Sequence, residues 1–393
     1  MPLALFALTI AAYAIGTTEF VSVGLLPTIA ADFRITLPSA GMIVSIYALG
    51  VTFGAPVLTA LTSRFPRKML LLSLMLLFIA GNLLAAFSSS FALLLVGRVL
   101  TAFAHGVFFS VGATIAAGLV PENRRASAIA LMFMGLTVAI VTGVPLGTLI
   151  GQTFGWRATF LAVSGLGLVA LLGIAALLPA TLPRGEPSRL IDQLRVLGSG
   201  RLLLAFAMTA LGYGGTFVAF TFLAAILQEI TGFAAGSVSL VLVLYGVAIA
   251  AGNLAGGRLA NTDPVKALAW LFAAQTLALI LFFFTAQATI PALLTLAAMG
   301  FLSFANVPGL QLYVVELAKR FRPDGVDTAS ALNIAAFNLG IAVGASVGGE
   351  IVASPLGLGT TPLVGAILVA GAAGLTLWSG ALDRRREVRS CEA

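Results

Sequence analysis

Gly97-Arg98-Val99-Leu100-Thr101-Ala102-Phe103-Ala104-His105-Gly106-Val107-Phe108-Phe109-Ser110-Val111-Gly112 decides the fold. It places an arginine and the chain's single histidine inside an apolar run long enough to cross a bilayer. A charge at such depth costs about 2.5 kcal/mol or more, so an intramembrane arginine reads as a functional group with a partner. Arg98 and His105 stand two helical turns apart, on one helix face and about 10 Å apart along the axis. The carboxylate to set against them is Glu19, deep inside the first apolar run.

Composition agrees with that reading. Of the 393 residues, 60% are hydrophobic and 9% charged, where soluble domains carry about 25% charged residues. The chain is therefore an all-α integral membrane protein. Its net charge of +7 reports loop topology rather than a nucleic-acid partner. One cysteine, Cys391 in the polar tail, excludes an internal disulfide and a Cys-based metal site. With one His and one Cys there is no metal cluster, no Cys–His nucleophile pair and no phosphate-cradling loop in the sequence. No cofactor is expected, and neither enzyme chemistry nor ATP-driven transport. The start, Met1-Pro2-Leu3-Ala4, lacks a basic n-region, and its apolar run is too long for a signal peptide. It reads as the first span.

Polar breaks at 32–38, 63–68, 88–90, 121–125, 154–157, 183–201, 228–236, 261–266, 287–291, 319–327 and 354–361 leave twelve segments, each near the roughly 20 residues a spanning helix needs. The longest break divides them six and six. The expected domains are a six-helix bundle at 1–182, a cytoplasmic linker at 183–200, a second bundle at 201–382 and a cytoplasmic tail at 383–393. With the N-terminus inside, 18 of the 21 Lys and Arg fall on the cytoplasmic side, the asymmetry that fixes orientation in a bacterial inner membrane. Both termini are then cytoplasmic.

The halves echo each other. At an offset of 198, Gly16/Gly214, Thr18/Thr216, Tyr47/Tyr245, Gly54/Gly252, Pro66/Pro264 and Lys68/Lys266 coincide. At an offset of 203, Gly97/Gly300, Ala102/Ala305, Gly106/Gly309 and Ala126-Ser127-Ala128/Ala329-Ser330-Ala331 coincide. Parallel repeats of this kind place a substrate site near the midplane and work by alternating access.

Twelve helices in two pseudo-symmetric bundles, with Arg64-Phe65-Pro66-Arg67-Lys68 between helices two and three, resemble the major facilitator superfamily. Gly16-Thr17-Thr18-Glu19-Phe20, Gly24-Leu25-Leu26-Pro27, His105-Gly106-Val107-Phe108-Phe109 and Asn333-Ile334-Ala335-Ala336-Phe337-Asn338-Leu339-Gly340 resemble the arabinose- and sugar-efflux-like branch of its drug:proton antiporters. The likeness covers the whole chain. It implies export driven by a proton gradient and leaves sugars and drugs both open as substrates. It also sets Arg98 in the place of the family's fourth-helix arginine.

The proton-coupling candidates are Glu19, Arg98 and His105. Glu19 lies about 24 Å along an inside-to-outside helix, and Arg98 about 10 Å below the outer surface, so both fall in the outer half of the core. An apolar wall and a nearby arginine pull a carboxyl's protonation in opposite directions, which suits a group that takes and releases a proton in each cycle. The alternative is a structural ion pair between helices one and four. His105, near the midplane, either titrates beside the proton path or is a packed, hydrogen-bonded fixture.

Candidate cavity residues are Tyr13, Thr17, Tyr47, Phe109, Met132, Thr137, Tyr213, Phe220, Tyr245, Asn253, Asn306, Gln311, Asn333 and Asn338. Pockets are mostly apolar with few polar groups, and the asparagines would be costly facing lipid. Each aromatic alone is better explained by packing than by contact with a ligand. Gating candidates are Arg64, Arg67 and Lys68 in the loop, and Gly143, Pro145 and Gly147 on helix five. The loop resembles the superfamily's cytoplasmic gate, with Ser63 and Pro66 where the family has aspartate and glycine. Arg67 and Lys68 can still complement a helix C-terminus. The Gly143-Val144-Pro145-Leu146-Gly147 run resembles the exporters' antiporter motif, with Val144 interrupting the usual Gly-Pro.

The expected protein is a monomeric proton-coupled exporter of neutral, amphipathic molecules such as chloramphenicol-like drugs. Sugar efflux is the runner-up and a passive pore a remote third. Its partners are the small-molecule substrate, protons and the lipid bilayer.

Overall fold

Runs of apolar, helix-forming residues bounded by Pro, Gly and charge become helices in the computed structural model, which describes residues 3–62, 65–120, 125–179, 182, 195–260 and 263–392. They are α1 (Leu3–Phe33), α2 (Leu37–Thr62), α3 (Arg67–Ala86), α4 (Phe91–Gly118), α5 (125–154), α6 (Trp156–Leu177), α7 (Gly200–Ile230), α8 (Ala235–Ala260), α9 (Pro264–Thr285), α10 (Thr289–Phe321), α11 (Val326–Ala353) and α12 (Thr361–Glu392). Twelve helices among the described residues are long and apolar enough to span a membrane.

The punctuation is local chemistry. Ser90 accepts the Leu93 N–H at the start of α4, and Asp263 accepts the Lys266 N–H at the start of α9, so each side chain satisfies an otherwise orphan donor. Between α5 and α6 the chain reverses through Gly155 at φ +87°, a conformation that a Cβ would strain. Within α5 the α-helix Arg125–Val138 widens into a π-helical turn at Ala139–Gly143 before resuming at Val144–Phe154. Pro145 follows at once. A residue without an N–H cannot continue an α-ladder unbroken, and the Val144 N–H instead reaches back five residues to the Ala139 carbonyl.

The chain forms two compact units. The first comprises 1–190 with 223–225 and 234–243, and the second 191–222, 226–233 and 244–393. In the first, α1 packs on α5 and α6, and α3 and α2 both pack on α4. In the second, α7 packs on α11 and α12, and α9 on α10 and α12. The contacts repeat in kind. A Cβ on Gly16 would sit 2.7 Å from Leu136 Cδ1, and one on Gly214 2.7 Å from the Gly340 carbonyl. Close approach of α1 to α5, and of α7 to α11, therefore depends on small residues.

The polar pattern predicts an end to the second bundle at residue 382. In the structure α12 continues past its apolar span to Glu392, and Asp383 pairs with Arg201. A basic run does not end a helix whose backbone bonds are already formed. Arg64 of the expected gate, and most of the expected linker, lie outside the described residues.

Candidate functional site

The first unit brings its polar groups together where α1, α2, α3 and α4 meet. Glu19 is 8% exposed, His105 5% and Arg98 1%. His105 Nδ1 lies 3.8 Å from Glu19 Oε2 and 2.9 Å from the Tyr47 hydroxyl of α2. Arg98 takes another course. Its Nη1 donates to the Thr18 carbonyl at 2.7 Å, and its Nη2 to the Glu19 carbonyl at 3.4 Å. The Arg98 Cζ stands 4.1 Å above the Tyr47 ring centroid. Glu19, Arg98 and His105 are thus brought together, but the arginine holds the backbone of α1 while the imidazole faces the carboxyl.

Two residues absent from the sequence-based site support this cluster. The Thr18 hydroxyl donates to Asn82 Oδ1 at 2.6 Å, and Asn82 Nδ2 donates to the Phe78 carbonyl at 2.9 Å. Arg98 Nη1 lies 3.4 Å from that same Thr18 hydroxyl. Asn82 could have been found as an amide in an apolar run, the signal that singled out the later asparagines.

The cavity candidates divide. Met132 and Phe109 are fully enclosed in the apolar core of the first unit, and Phe109 packs its ring against His105 at 5.0 Å and Phe133 at 5.1 Å. Tyr13 meets the Thr142 hydroxyl at 3.3 Å, and the Thr17 hydroxyl donates to the Tyr13 carbonyl. Thr137 and Asn253 are half-buried.

In the second unit, Tyr213 packs against Phe217, Phe304 and Phe337. Phe220 stacks on Tyr245, with centroids 5.1 Å apart. Gln311 accepts from Asn333, which accepts from the Thr209 hydroxyl. Asn306 donates to Gln275, which donates to the Thr216 hydroxyl. Asn338 Nδ2 bonds the Ile334 carbonyl within its own helix. Gln275 and Thr216 were also missed, although a buried glutamine in α9 carries the same signal as Asn82.

Of the gating candidates, Lys68 Nζ donates to the Ala175 and Leu178 carbonyls at 2.8 and 2.7 Å. It therefore caps the C-terminal end of α6, as a cation at a helix end should. Arg67 is half-buried nearby in the chain. Gly143 lies against the Thr17 side chain, and Gly147 against Val21 and Thr159. Pro145 is buried just after the π-helical turn.

Two further ionic clusters were not read from the sequence. Asp32 pairs with Arg157 and accepts the Trp156 indole N–H at 3.0 Å. In the second unit Arg201 pairs with Asp383 at 2.8 Å, and the Tyr313 hydroxyl donates to Asp383 Oδ2 at 3.0 Å. Among the described residues no group of three His, Cys, Asp or Glu could hold a metal.

A twelve-span, two-unit helical chain with a buried acid, imidazole and guanidinium meets its match in sequence. Residues 8–345 fit the model of the Major Facilitator Superfamily. The chain belongs to that superfamily. It is a multi-pass membrane transporter, not an enzyme, and its relatives include sugar-efflux-like members.

The transporter is 55% identical over 382 residues to the uncharacterized MFS-type transporter YtbD of Bacillus subtilis, covering 97% of this chain and 96% of the relative. It is 40% identical over 274 residues to a chloramphenicol resistance protein of Streptomyces lividans, covering 68% and 69%. It is 33% identical over 359 residues to a probable sugar efflux transporter of Mannheimia succiniciproducens, covering 91% and 89%. The fold resembles the crystal structure of a bacterial homologue of the human lysosomal transporter Spinster, inward-facing and occupied, with TM-score 0.77, 16% identity and 96% of each chain covered.

Proposed function

We propose that the transporter is a proton-coupled exporter in which Glu19 carries the transported proton and His105 adjoins its path. One observation carries the reading. The Arg98 hydrogen bonds go to the Thr18 and Glu19 carbonyls and the Thr18 hydroxyl of α1, so among the described residues no guanidinium fork clamps the Glu19 carboxyl. A bidentate Arg–carboxylate pair would lock both groups in one charge state. A carboxyl whose nearest titratable side chain is an imidazole at 3.8 Å can change state instead. The alternative, a structural ion pair between α1 and α4, is less well supported by this geometry.

The substrate proposed is a neutral, amphipathic molecule of the chloramphenicol class, for which the Streptomyces lividans relative is the precedent. Sugar export is the second reading, and the Mannheimia succiniciproducens relative speaks for it. Against it, one amide N–H each of Asn306, Asn333 and Asn338 goes to Gln275, Gln311 and Ile334, which leaves fewer donors for a polyol. The positive-inside distribution of Lys and Arg supports an inner-membrane location with both termini cytoplasmic.

Export from proteoliposomes under an imposed pH gradient tests the proposal, with chloramphenicol and arabinose as parallel substrates. Uphill export is expected for the wild type and lost in Glu19→Gln. Uphill export that survives in Glu19→Gln removes the assignment, and uphill export of arabinose alone moves the substrate to the second reading.

A further inference from the structure

Tyr47 is 2% exposed, and both its face and its edge are engaged. The Arg98 Cζ lies 4.1 Å above its ring centroid, and its hydroxyl oxygen lies 2.9 Å from His105 Nδ1. From the sequence it groups with the substrate aromatics. Enclosure between a guanidinium and the single imidazole suits a different task.

We propose that Tyr47 is a positioning residue for the proton-carrying pair: its hydroxyl donates to His105 Nδ1 and holds the neutral imidazole in the Nε2–H tautomer, while its ring seats the Arg98 guanidinium. The inference rests on the proton-coupled reading above for its consequence, but not for its geometry.

The direction of the hydrogen bond follows from accounting for one proton. Neutral imidazole offers one donor nitrogen and one acceptor nitrogen, and a phenol can play either part. Were Nδ1 the donor, the Tyr47 hydroxyl would accept, and its own hydrogen would have no acceptor among the described residues. An orphaned donor in a buried site is costly. With Tyr47 donating, the phenol hydrogen is used and the imidazole hydrogen sits on Nε2, away from this contact. The cation over the ring face also draws density from the phenol and strengthens the O–H as a donor.

Among the described residues, the titratable and charged groups facing Tyr47 and His105 are few. From α1 there is Glu19, whose Oε2 is 3.8 Å from the same Nδ1, beyond hydrogen-bond length. From α4 there are Arg98 and His105 themselves. One nitrogen therefore stands between a hydroxyl that occupies it and a carboxyl that waits beside it.

His105 is the chain's only histidine, which makes the tautomer directly measurable. Protein made without a polyhistidine tag, labelled with ¹⁵N-histidine and held in nanodiscs, gives nitrogen resonances from one imidazole. At neutral pH the wild type is expected to show Nδ1 as the acceptor nitrogen and Nε2 as the protonated one. Tyr47→Phe keeps the ring beneath Arg98 and removes the hydroxyl, and it is expected to lose that fixed tautomer. A wild type with its hydrogen on Nδ1 overturns the proposal, as do unchanged resonances in Tyr47→Phe.

Transport supplies the second arm. Tyr47→Phe is expected to slow gradient-driven export about tenfold, what one buried hydrogen bond is worth, with substrate affinity unchanged. Weaker substrate binding with coupling intact would mean that Tyr47 touches substrate, and would overturn the positioning role. Should Tyr47→Phe fail to fold, the wild-type tautomer alone decides. That readout does not involve transport, so it stands or falls separately from the Glu19 assignment.

Discussion

The Arg98 guanidinium meets Glu19 at the backbone, with Nη2 3.4 Å from the Glu19 carbonyl and Nη1 2.7 Å from the neighbouring Thr18 carbonyl. Two bonds from one planar fork fix α4 against α1 in depth and rotation, and so fix how far the Glu19 carboxyl stands from His105. A lysine keeps the charge but not the fork, nor the flat seat on Tyr47. Arg98→Lys is expected to fold and to lose about tenfold to a hundredfold in export rate, since bonds from charged donors are worth about 1.5–3 kcal/mol. The initial rate of gradient-driven export measures it. A wild-type rate would show that charge alone suffices at this position.

The α7–α11 crossing makes a second prediction. A Cβ on Gly344 would collide with the Gly214 carbonyl, and one on Gly340 would approach the Gly214 nitrogen to 3.0 Å. Backbone cannot yield as a side-chain tip can, so Gly344→Ala should destabilise the transporter by about 1–3 kcal/mol, the usual cost of overpacking. Gly374 is the control. It is exposed on α12, and a methyl group added there would meet no atom within 4 Å, so Gly374→Ala should be neutral or stabilising by about 0.5–1 kcal/mol. Thermal melts of the two purified variants decide the matter, and equal melting temperatures would refute the packing argument.

The span pattern was legible because a bilayer accepts so few sequences. Apolar runs of adequate length appear as helices, and the expected pause at 32–38 falls where α1 ends at Phe33 and α2 begins at Leu37. Glu19, Arg98 and His105 stood out for the same reason, each being chemically improbable in its run. What could not be read is which way side chains turn. A helix that is apolar on every side, as α1 is around Glu19, gives no face by periodicity. The sequence therefore paired acid with arginine side chain to side chain, whereas the arginine binds carbonyls that no sequence pattern marks. Tyr47 looked like one aromatic among many for the same reason, and no sequence pattern marks that α12 stays helical through the basic run to Glu392.

The Arg201–Asp383 pair supplies a third prediction. The side chains are 12% and 20% exposed; Arg201 also donates to the Tyr313 hydroxyl and the Ser379 carbonyl, and Asp383 accepts from Tyr313. Removing one partner strands a mostly buried charge, so Asp383→Leu should cost about 2 kcal/mol, somewhat less than the roughly 3–5 kcal/mol of a fully buried pair. Arg320, 3.6 Å from the same carboxylate, would lose its partner as well. The double variant Arg201→Met with Asp383→Leu removes both charges and should melt above the single variant. If the double variant is the less stable of the two, the pair contributes attraction rather than mutual compensation, and the argument fails.

The α9 cap makes the last prediction, and its sign follows from the charge. The Lys266 backbone N–H, and then the Lys266 side chain, hold the Asp263 carboxyl below its ordinary value of 3.8. The folded state therefore favours the anion. Its contribution is fully present above the unfolded carboxylate value of about 3.9 and fades as pH falls through the depressed folded value. The side chain is 38% exposed, so solvent screening limits the effect to about 1 kcal/mol, the scale of an N-cap. Asp263→Asn keeps a capping oxygen without the charge and should remove the pH dependence while retaining most of the cap. The quantity to compare is the melting-temperature difference between wild type and Asp263→Asn at pH 7 and at pH 3. It should favour the wild type at pH 7 and shrink at pH 3, and a difference that stays constant would mean that the carboxylate charge adds nothing to the start of α9.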